Sequence, residues 1–444
     1  MEEEVLSILT YLVSIPSVND PVRGIKPSAD TAKYIYDFLT QHGIDASIIE
    51  SNGYYSIMGS VGVGKPYIML LAHYDVVPVE GQDWSYDPFK LNIVGDRAYG
   101  RGALDDKSNV AAFMVVLKEL SRLDLNRRVL FAFTGDEEVG GENGAQLIAE
   151  KLVSSNSLPR YLINGDGANH TVICRRRKSF EVILRIPKKL VVVRGVKGFK
   201  TFLANYPVSQ HAHAAYFIAG VDTHPLLCAS VFTRESDIYI TQLSGNFVKS
   251  NVVPQYVSLE YVTPNHSGSE YSVDMGLTDL IKSVLILSRV PINVKAFSEY
   301  GVSITPNMYF FDGKHNLVLD VRAMSSKDVI EESFKAVLNE TSLDAELLVR
   351  SDVGGYMNTC KDSVLVKTFE EVLANLNLSY RVGEGAGASD SRYFVVHGVN
   401  AVDFGPLGGG MHGSNEYVDV SSLKILPKIY LEVIKKLLMV EEKF

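Results

Sequence analysis

Cysteine is scarce in this 444-residue chain: Cys174, Cys228 and Cys360 are far apart, odd in number and form no Cys-x-x-Cys. That excludes a structural zinc ribbon and fits a reducing compartment. Basic excess is also missing. The formal net charge is −9, which argues against a nucleic-acid binder. The one basic run, Arg175-Arg176-Arg177-Lys178, leads into an apolar stretch and reads as a solvated strand entry. No apolar run approaches the roughly 20 residues that span a bilayer. The opening "MEEEVLSILTYLV" is acidic where a signal peptide is basic, so a cytoplasmic location is expected. No Gly-x-Ser-x-Gly elbow occurs, which argues against a serine hydrolase of that type. "GSVGVGKP", from Gly59, satisfies Gly-x4-Gly-Lys but continues into Pro66 instead of Ser or Thr. It reads as a turn between strands, not a phosphate loop.

What is present is an alternation of element types. "TAKYIYDFLTQHG" has helical spacing and closes on a glycine suited to a C-cap. "PYIMLLAH" and "RRVLFAFTG" are short continuous apolar runs, as in strands buried on both faces. Between them "SNVAAFMVVLKELSRL" is a long apolar helix with Ser108 as a plausible N-cap. "GAQLIAEKLV" continues as helix and "RYLING" as strand. The pattern predicts an α/β fold with a mostly parallel sheet flanked by helices. From about Cys174 the texture turns β-rich, and it returns to the first kind after Arg350. The expectation is a catalytic domain in two parts, 1–173 and 351–444, interrupted by an inserted α+β lid or dimerisation domain, 174–350.

Acids and histidines follow the buried strands directly. "YIMLLA" ends at His73, with Asp75 two residues on. "VLFAF" runs into Asp136, Glu137 and Glu138. "YLIN" runs into Asp166. Asp105 and Asp106 precede the long helix, and "AVDFG" leads to His412. In open α/β sheets ligands bind beyond the carboxyl ends of the strands. Histidine with carboxylate suits zinc, and a shared carboxylate suits two zincs. Asp75 could accept the outward N–H of His73 and fix its tautomer. Asp136 has no evident task beyond solvation or turn capping.

"LTYLVSIPSVN", "LLAHYDVVPV", "YGRGALDDKSNVAA", "FTGDEEVGG", "GASDSRYF" and "HGSNEYV" occur in this order. Together they resemble the co-catalytic zinc peptidases and deacylases: acetylornithine deacetylase, succinyl-diaminopimelate desuccinylase, carboxypeptidase G, aminoacylase and the cytosolic dipeptidases. The resemblance implies two zinc ions per subunit, with cobalt or manganese also suited to the site. His73 and Asp166 would each bind one ion, Glu138 and His412 the other, and Asp105 would bridge them. A cis Asp105–Asp106 peptide is implied as well. Glu137 would be the general base that takes a proton from the attacking water and hands it to the leaving nitrogen. "SQHAHAAYFIAG" holds His211 and His213, with His213 in the place of the oxyanion donor; a surface histidine is the alternative. "SGNFVKSNVVP" would offer Asn251 to the substrate. Arg392 would hold a substrate carboxylate, with a structural ion pair as the alternative.

Two departures from the family pattern bear on substrate. Asp166 replaces the glutamate of many deacylases, which is typical of the dipeptidase and aminopeptidase branches. The inserted domain is longer than the minimal lid. The strand after Asn-Val-Val-Pro, "YVSLEYVTPN", lacks the usual arginine, and Arg322 in "LVLDVRAMS" is a second candidate for the substrate clamp. A doubled lid, as in the monomeric dipeptidase V, would account for both; so would an insertion that displaced one strand of a dimerising lid. The resulting expectation is a two-zinc amidohydrolase cleaving small peptides. An N-acyl-amino-acid deacylase is the alternative. The partner is a small peptide or N-acyl amino acid, with no nucleic acid and no membrane, and the protein is a homodimer or a monomer with an extended lid.

Overall fold

A computed structural model describes residues 1–207, 213–294, 296, 298–341, 343–351 and 353–440. The chain divides into two compact units, Met1–Arg176 with Val353–Phe444, and Arg177–Asp352. Among the described residues no helix is long and apolar enough to cross a membrane.

The first unit is built on a nine-stranded sheet, counted among the described residues. Its strands are β1 (Asp45–Ser51), β2 (Tyr54–Val61), β3 (Pro66–His73), β4 (Arg128–Thr134), β5 (Tyr161–Asn164), β6 (Thr171–Arg176), β7 (Met357–Asn358), β8 (Arg381–Gly385) and β9 (Asn400–Asp403). The spatial order is β1-β2-β4-β3-β5-β9-β6-β7, with β8 also paired to β6. Side chains of β3 alternate between two cores. Ile68, Leu70 and Ala72 face one apolar cluster, and Met69 and Leu71 face the other. Burial on both faces is why this strand reads as one continuous apolar run.

The sheet is mixed, which corrects the expectation of a mostly parallel one. The middle strands β4-β3-β5-β9 do run parallel. At one edge β1 and β2 form an antiparallel hairpin across Asn52 and Gly53, at φ 50° and 77°. Two successive left-handed residues make the tight turn whose twist matches a hairpin. At the other edge β6 lies antiparallel to β9. It follows β5 after residues 165–170 only, a link too short for the crossover that a parallel return requires.

Helix α1 (Glu2–Ser14), α2 (Ala29–Gln41), α3 (Lys107–Leu120), α4 (Leu147–Ser154), α5 (Val364–Asn375) and α6 (Val420–Met439) cover this sheet. α3 is buried along nearly its whole length, and packs with α1 and α6. Its N-cap is Asp106, not Ser108, whose hydroxyl instead donates to the Leu104 carbonyl. α2 begins on Ser28, whose hydroxyl accepts the Asp30 N–H, and ends before Gly43 at φ 71°.

The second unit has two four-stranded antiparallel sheets among the described residues. One uses Lys178–Pro187, Ser303–Phe311, Lys314–Ala323 and Glu346–Ser351. The other uses Leu190–Leu203, Tyr239–Gly245, Tyr256–Pro264 and Ser269–Asp274. Numbered by their own chain order, both have the spatial order 2-3-1-4. The second sheet is nested in the sequence between the first and second strands of the other. The third strand of one sheet is Tyr256–Pro264, without an arginine, and the third strand of the other carries Arg322.

Candidate metal centre and active site

Because β4, β3, β5 and β9 are parallel, their carboxyl ends share one rim. β3 delivers His73 there. The His73 Nε2 lies 3.1 Å from Asp105 Oδ1. His412 Nε2 lies 3.0 Å from Asp105 Oδ2 and 3.2 Å from Glu138 Oε2. Asp105 is thus bracketed by an imidazole on each oxygen. Ligand atoms of His73, Asp105 and Glu138 all fall within 4.8 Å of one another. The Asp105–Asp106 peptide is cis.

Glu137 and Glu138 stand just past β4, in the 3-10 turn Glu137–Val139. Asp75 fixes this turn. Its Oδ1 accepts the Glu137 N–H at 3.1 Å and its Oδ2 the Glu138 N–H at 3.2 Å. The same carboxylate accepts from Asn19 Nδ2 at 2.9 Å. His73 Nδ1 lies 3.1 Å from the Asp75 carbonyl and 3.4 Å from its Oδ1. Two acceptors hold a proton on Nδ1, so Nε2, which carries a proton toward Asp105 here, is the nitrogen that would offer its lone pair to a metal ion. Asp136 has the capping task. It is buried, and its Oδ2 accepts the N–H groups of Asn143 at 2.6 Å and Gly144 at 3.1 Å.

Burial dominates the electrostatics. It pushes Glu138 up to about 7 against the opposing field of His412. It also raises Glu137, opposed by His73 and Arg392 and reinforced by Asp75 and Asp105. Asp166 is raised well above its usual range by burial, with Arg176 opposing. Asp105 is the exception: burial would raise it, but the hydrogen bonds from His412 and His73 hold it far below the usual carboxylate range. Several buried carboxyls with an unfavourable charge, alongside two imidazole nitrogens, form a donor set that fits a divalent cation of the zinc type.

Asp166 stands outside the tight three-residue group. Arg176 Nη2 is 3.7 Å from its Oδ1 and also donates to its carbonyl. The basic run is therefore not a solvated strand entry. Arg176 and Arg177 are buried; Arg176 is paired with Asp403, and Arg177 donates to Ser303 Oγ at 3.1 Å and the Ala215 carbonyl at 3.2 Å. Arg392 donates to the Gly140 carbonyl, beside the Glu137 turn, and to Tyr393 Oη at 3.1 Å, with Asp390 Oδ1 at 3.9 Å.

His213, Asn251 and Arg322 belong to the second unit; His211 lies outside the described residues. His213 Nδ1 accepts the Ala215 N–H at 3.0 Å, so its proton sits on Nε2, 3.2 Å from the Asn251 amide. That contact is satisfied with the amide oxygen turned to the ring. The Asn251 carbonyl also accepts the Ala214 N–H at 2.8 Å, so the two residues form one hydrogen-bonded unit. Arg322 is buried in a bidentate pair with Asp320, at 2.9 and 3.0 Å.

The sequence motifs hold a further pair that their spacing did not single out. Arg101 and Glu416 are each 1% exposed and 2.6 Å apart. Glu416 also accepts the N–H groups of Gly102 at 3.2 Å, Leu104 at 2.9 Å and Asp105 at 3.0 Å. It holds the loop that presents Asp105. The available signal was an arginine and an acid inside "YGRGALDD" and "HGSNEYV", both motifs tied to the site.

A model of peptidase family M20/M25/M40 matches residues 69–436. The chain is 26% identical over 382 residues to a succinyl-diaminopimelate desuccinylase of Helicobacter pylori, covering 84% of this chain and 80% of that protein. It is 25% identical over 444 residues to the Wolinella succinogenes protein of the same name, covering 98% and 100%. Among solved structures, an aminoacylhistidine dipeptidase from Vibrio alginolyticus aligns with a TM-score of 0.70 at 15% identity, covering 99% and 97% of the two chains. An M20 family metallo-carboxypeptidase from Sulfolobus solfataricus aligns at 0.62 and 18%, covering 98% and 100%. These two show a shared fold.

Proposed function

This chain belongs to peptidase family M20/M25/M40, and from that premise we propose that it is a two-metal amidohydrolase cleaving small peptides, dipeptides first. One observation carries this reading: His73 and His412 meet the two oxygens of Asp105, with Glu138 against His412. His73, Asp105, Asp166, Glu138 and His412 would hold two zinc, cobalt or manganese ions, which when bound supply Lewis acidity to the scissile carbonyl and to the attacking water. Asp75 orients His73 and pins the N–H groups of Glu137 and Glu138, so ligand and base are set by one carboxylate. Glu137 takes the proton of the attacking water and returns it to the departing nitrogen. His213, Asn251, Arg322 and Arg392 are assigned to substrate, the arginines to its carboxylate. Because Arg322 is already paired with Asp320, Arg392 is favoured. The test of the mechanism is Glu137→Gln: metal content stays at two ions and kcat falls on the order of 10³-fold. Unchanged turnover would refute the assignment.

Aspartate at position 166 supports the peptide substrate. The deacylase reading is favoured by a different observation, the desuccinylase relatives at 25% and 26% identity. A panel of dipeptides against N-succinyl and N-acetyl amino acids separates the two. Activity confined to the acylated amino acids would overturn the dipeptidase. The shared 2-3-1-4 order of the two sheets in the second unit supports a doubled lid and so a monomer, which light scattering would test. A cytoplasmic location is proposed from the small number and wide separation of the cysteines.

A further inference from the structure

Among the expected metal ligands, His412 has an unusual setting. Its side chain is 54% exposed, and its backbone is left-handed at φ 60°. A side chain so open to solvent is not fixed by packing, so its backbone must be fixed by other means. A ring of hydrogen bonds does this. Glu416 Oε1 accepts the Asp105 N–H at 3.0 Å, and Glu416 Oε2 accepts from Arg101 Nη1 at 2.6 Å. Arg101 Nη2 donates to Gln82 Oε1 at 2.7 Å, and Gln82 Nε2 donates to the His412 carbonyl at 2.9 Å. The 3.0 Å contact from His412 Nε2 to Asp105 Oδ2 closes the ring.

Arg101 Nη2 also reaches the Gly413 carbonyl, one residue on, at 3.1 Å, and Gln82 is the link to His412 itself. Trp84 Nε1 also donates to Gln82 Oε1, at 3.1 Å. Two donors on the oxygen fix the orientation of the amide, so Nε2 can only face the His412 carbonyl. We propose that Gln82 is a positioning residue that holds His412 over the bridging Asp105 and thereby sets the affinity of one of the two metal ions. The inference rests on His412 being a metal ligand, as proposed above.

The decisive variant is Gln82→Glu. It keeps the acceptor for Arg101 and Trp84 and turns the donor to His412 into an oxygen that the His412 carbonyl repels. Its added negative charge would favour a cation, so weaker binding could not come from charge. Gln82→Met removes the acceptor too and serves as the second variant, read the same way should the first fail to fold. Zinc is titrated into the full-length metal-free protein against a chromogenic chelator, with His412→Ala alongside. The expected result is one ion weakened about 10–100-fold in the Gln82 variants, the other unchanged, and the weakened ion lost in His412→Ala. Wild-type affinity for both ions in the Gln82 variants, or equal weakening of both, overturns the inference. If His412→Ala itself keeps both ions, the ligand assignment fails and the inference falls with it.

Discussion

Replacing Asp75 by asparagine changes one atom and strikes the hub of the site. Four donors converge on this buried carboxylate. Oδ1 receives Glu137 N at 3.1 Å and His73 Nδ1 at 3.4 Å; Oδ2 receives Asn19 Nδ2 at 2.9 Å and Glu138 N at 3.2 Å. An amide must turn its NH2 toward one of these pairs. Facing Glu137 and His73, it opposes two donors. Facing Glu138 and Asn19, it lets Asn19 rotate its own amide and accept, with the Tyr54 hydroxyl turning from donor to acceptor, which leaves the Glu138 N–H without a partner. The second orientation wins, and one orphaned buried N–H costs about 1–3 kcal/mol. The His73 tautomer survives, because Nδ1 still meets the Asp75 carbonyl at 3.1 Å. The expected outcome is a loss of about 2 kcal/mol in the stability of the metal-free protein, read as a lower denaturant midpoint. Turnover should fall about tenfold or more, because the Glu137–Glu138 turn is loosened. Wild-type midpoint and wild-type turnover in Asp75→Asn would refute the reasoning that this carboxylate organises ligand and base together.

Two further outcomes follow from buried groups elsewhere. Burial lowers His224 from 6.5 to about 4, while its bond to Asn307 opposes the shift. The unfolded chain therefore binds the extra proton first, so stability is full above pH 6.5 and declines as pH falls toward 4, by about 3 kcal/mol in total. His224 also caps the helix Pro225–Glu235, its Nδ1 accepting the Leu226 N–H at 3.2 Å; His224→Asn, which retains a capping acceptor, should flatten that part of the midpoint-versus-pH curve, and an unaltered slope would remove His224 as its source. Glu416→Ala strands the buried Arg101 and should cost about 3–5 kcal/mol, with weaker zinc retention against a chelator. An unchanged midpoint would show that the Arg101–Glu416 pair does not hold the Asp105 loop.

The candidate metal site was legible in the sequence partly because His73 and Glu138 follow buried strands, which continuous apolar runs mark well; Asp105 and His412 lie in loops and were picked out by their motifs instead. The edges of the sheet were harder to read, although Asn52-Gly53 was an available hairpin signal that fixes β1 against β2. Arg176 was misread because its partner Asp403 is 227 residues away, beyond any local pattern. Arg322 is different: Asp320 lies two residues earlier on the same strand face, a spacing visible in "LDVRA". The task of Asp136 needed three dimensions, since the N–H groups it caps begin seven residues later.

The nested sheet of the second unit has one more consequence. Its first residue, Leu190, is paired directly with its last, Asp274, and the flanking Lys189 and Met275 are joined through a 2.8 Å backbone hydrogen bond. The segment leaves and re-enters its host at a single point, as an excisable module does. Deleting 190–274 would leave a short gap to close. It would also carry away His213 and Asn251 while every expected metal ligand stayed behind. The expected metal ligands and two of the four residues assigned to substrate thus lie on separable lengths of chain, and a shortened protein would keep its ligand set and both arginines while lacking His213 and Asn251.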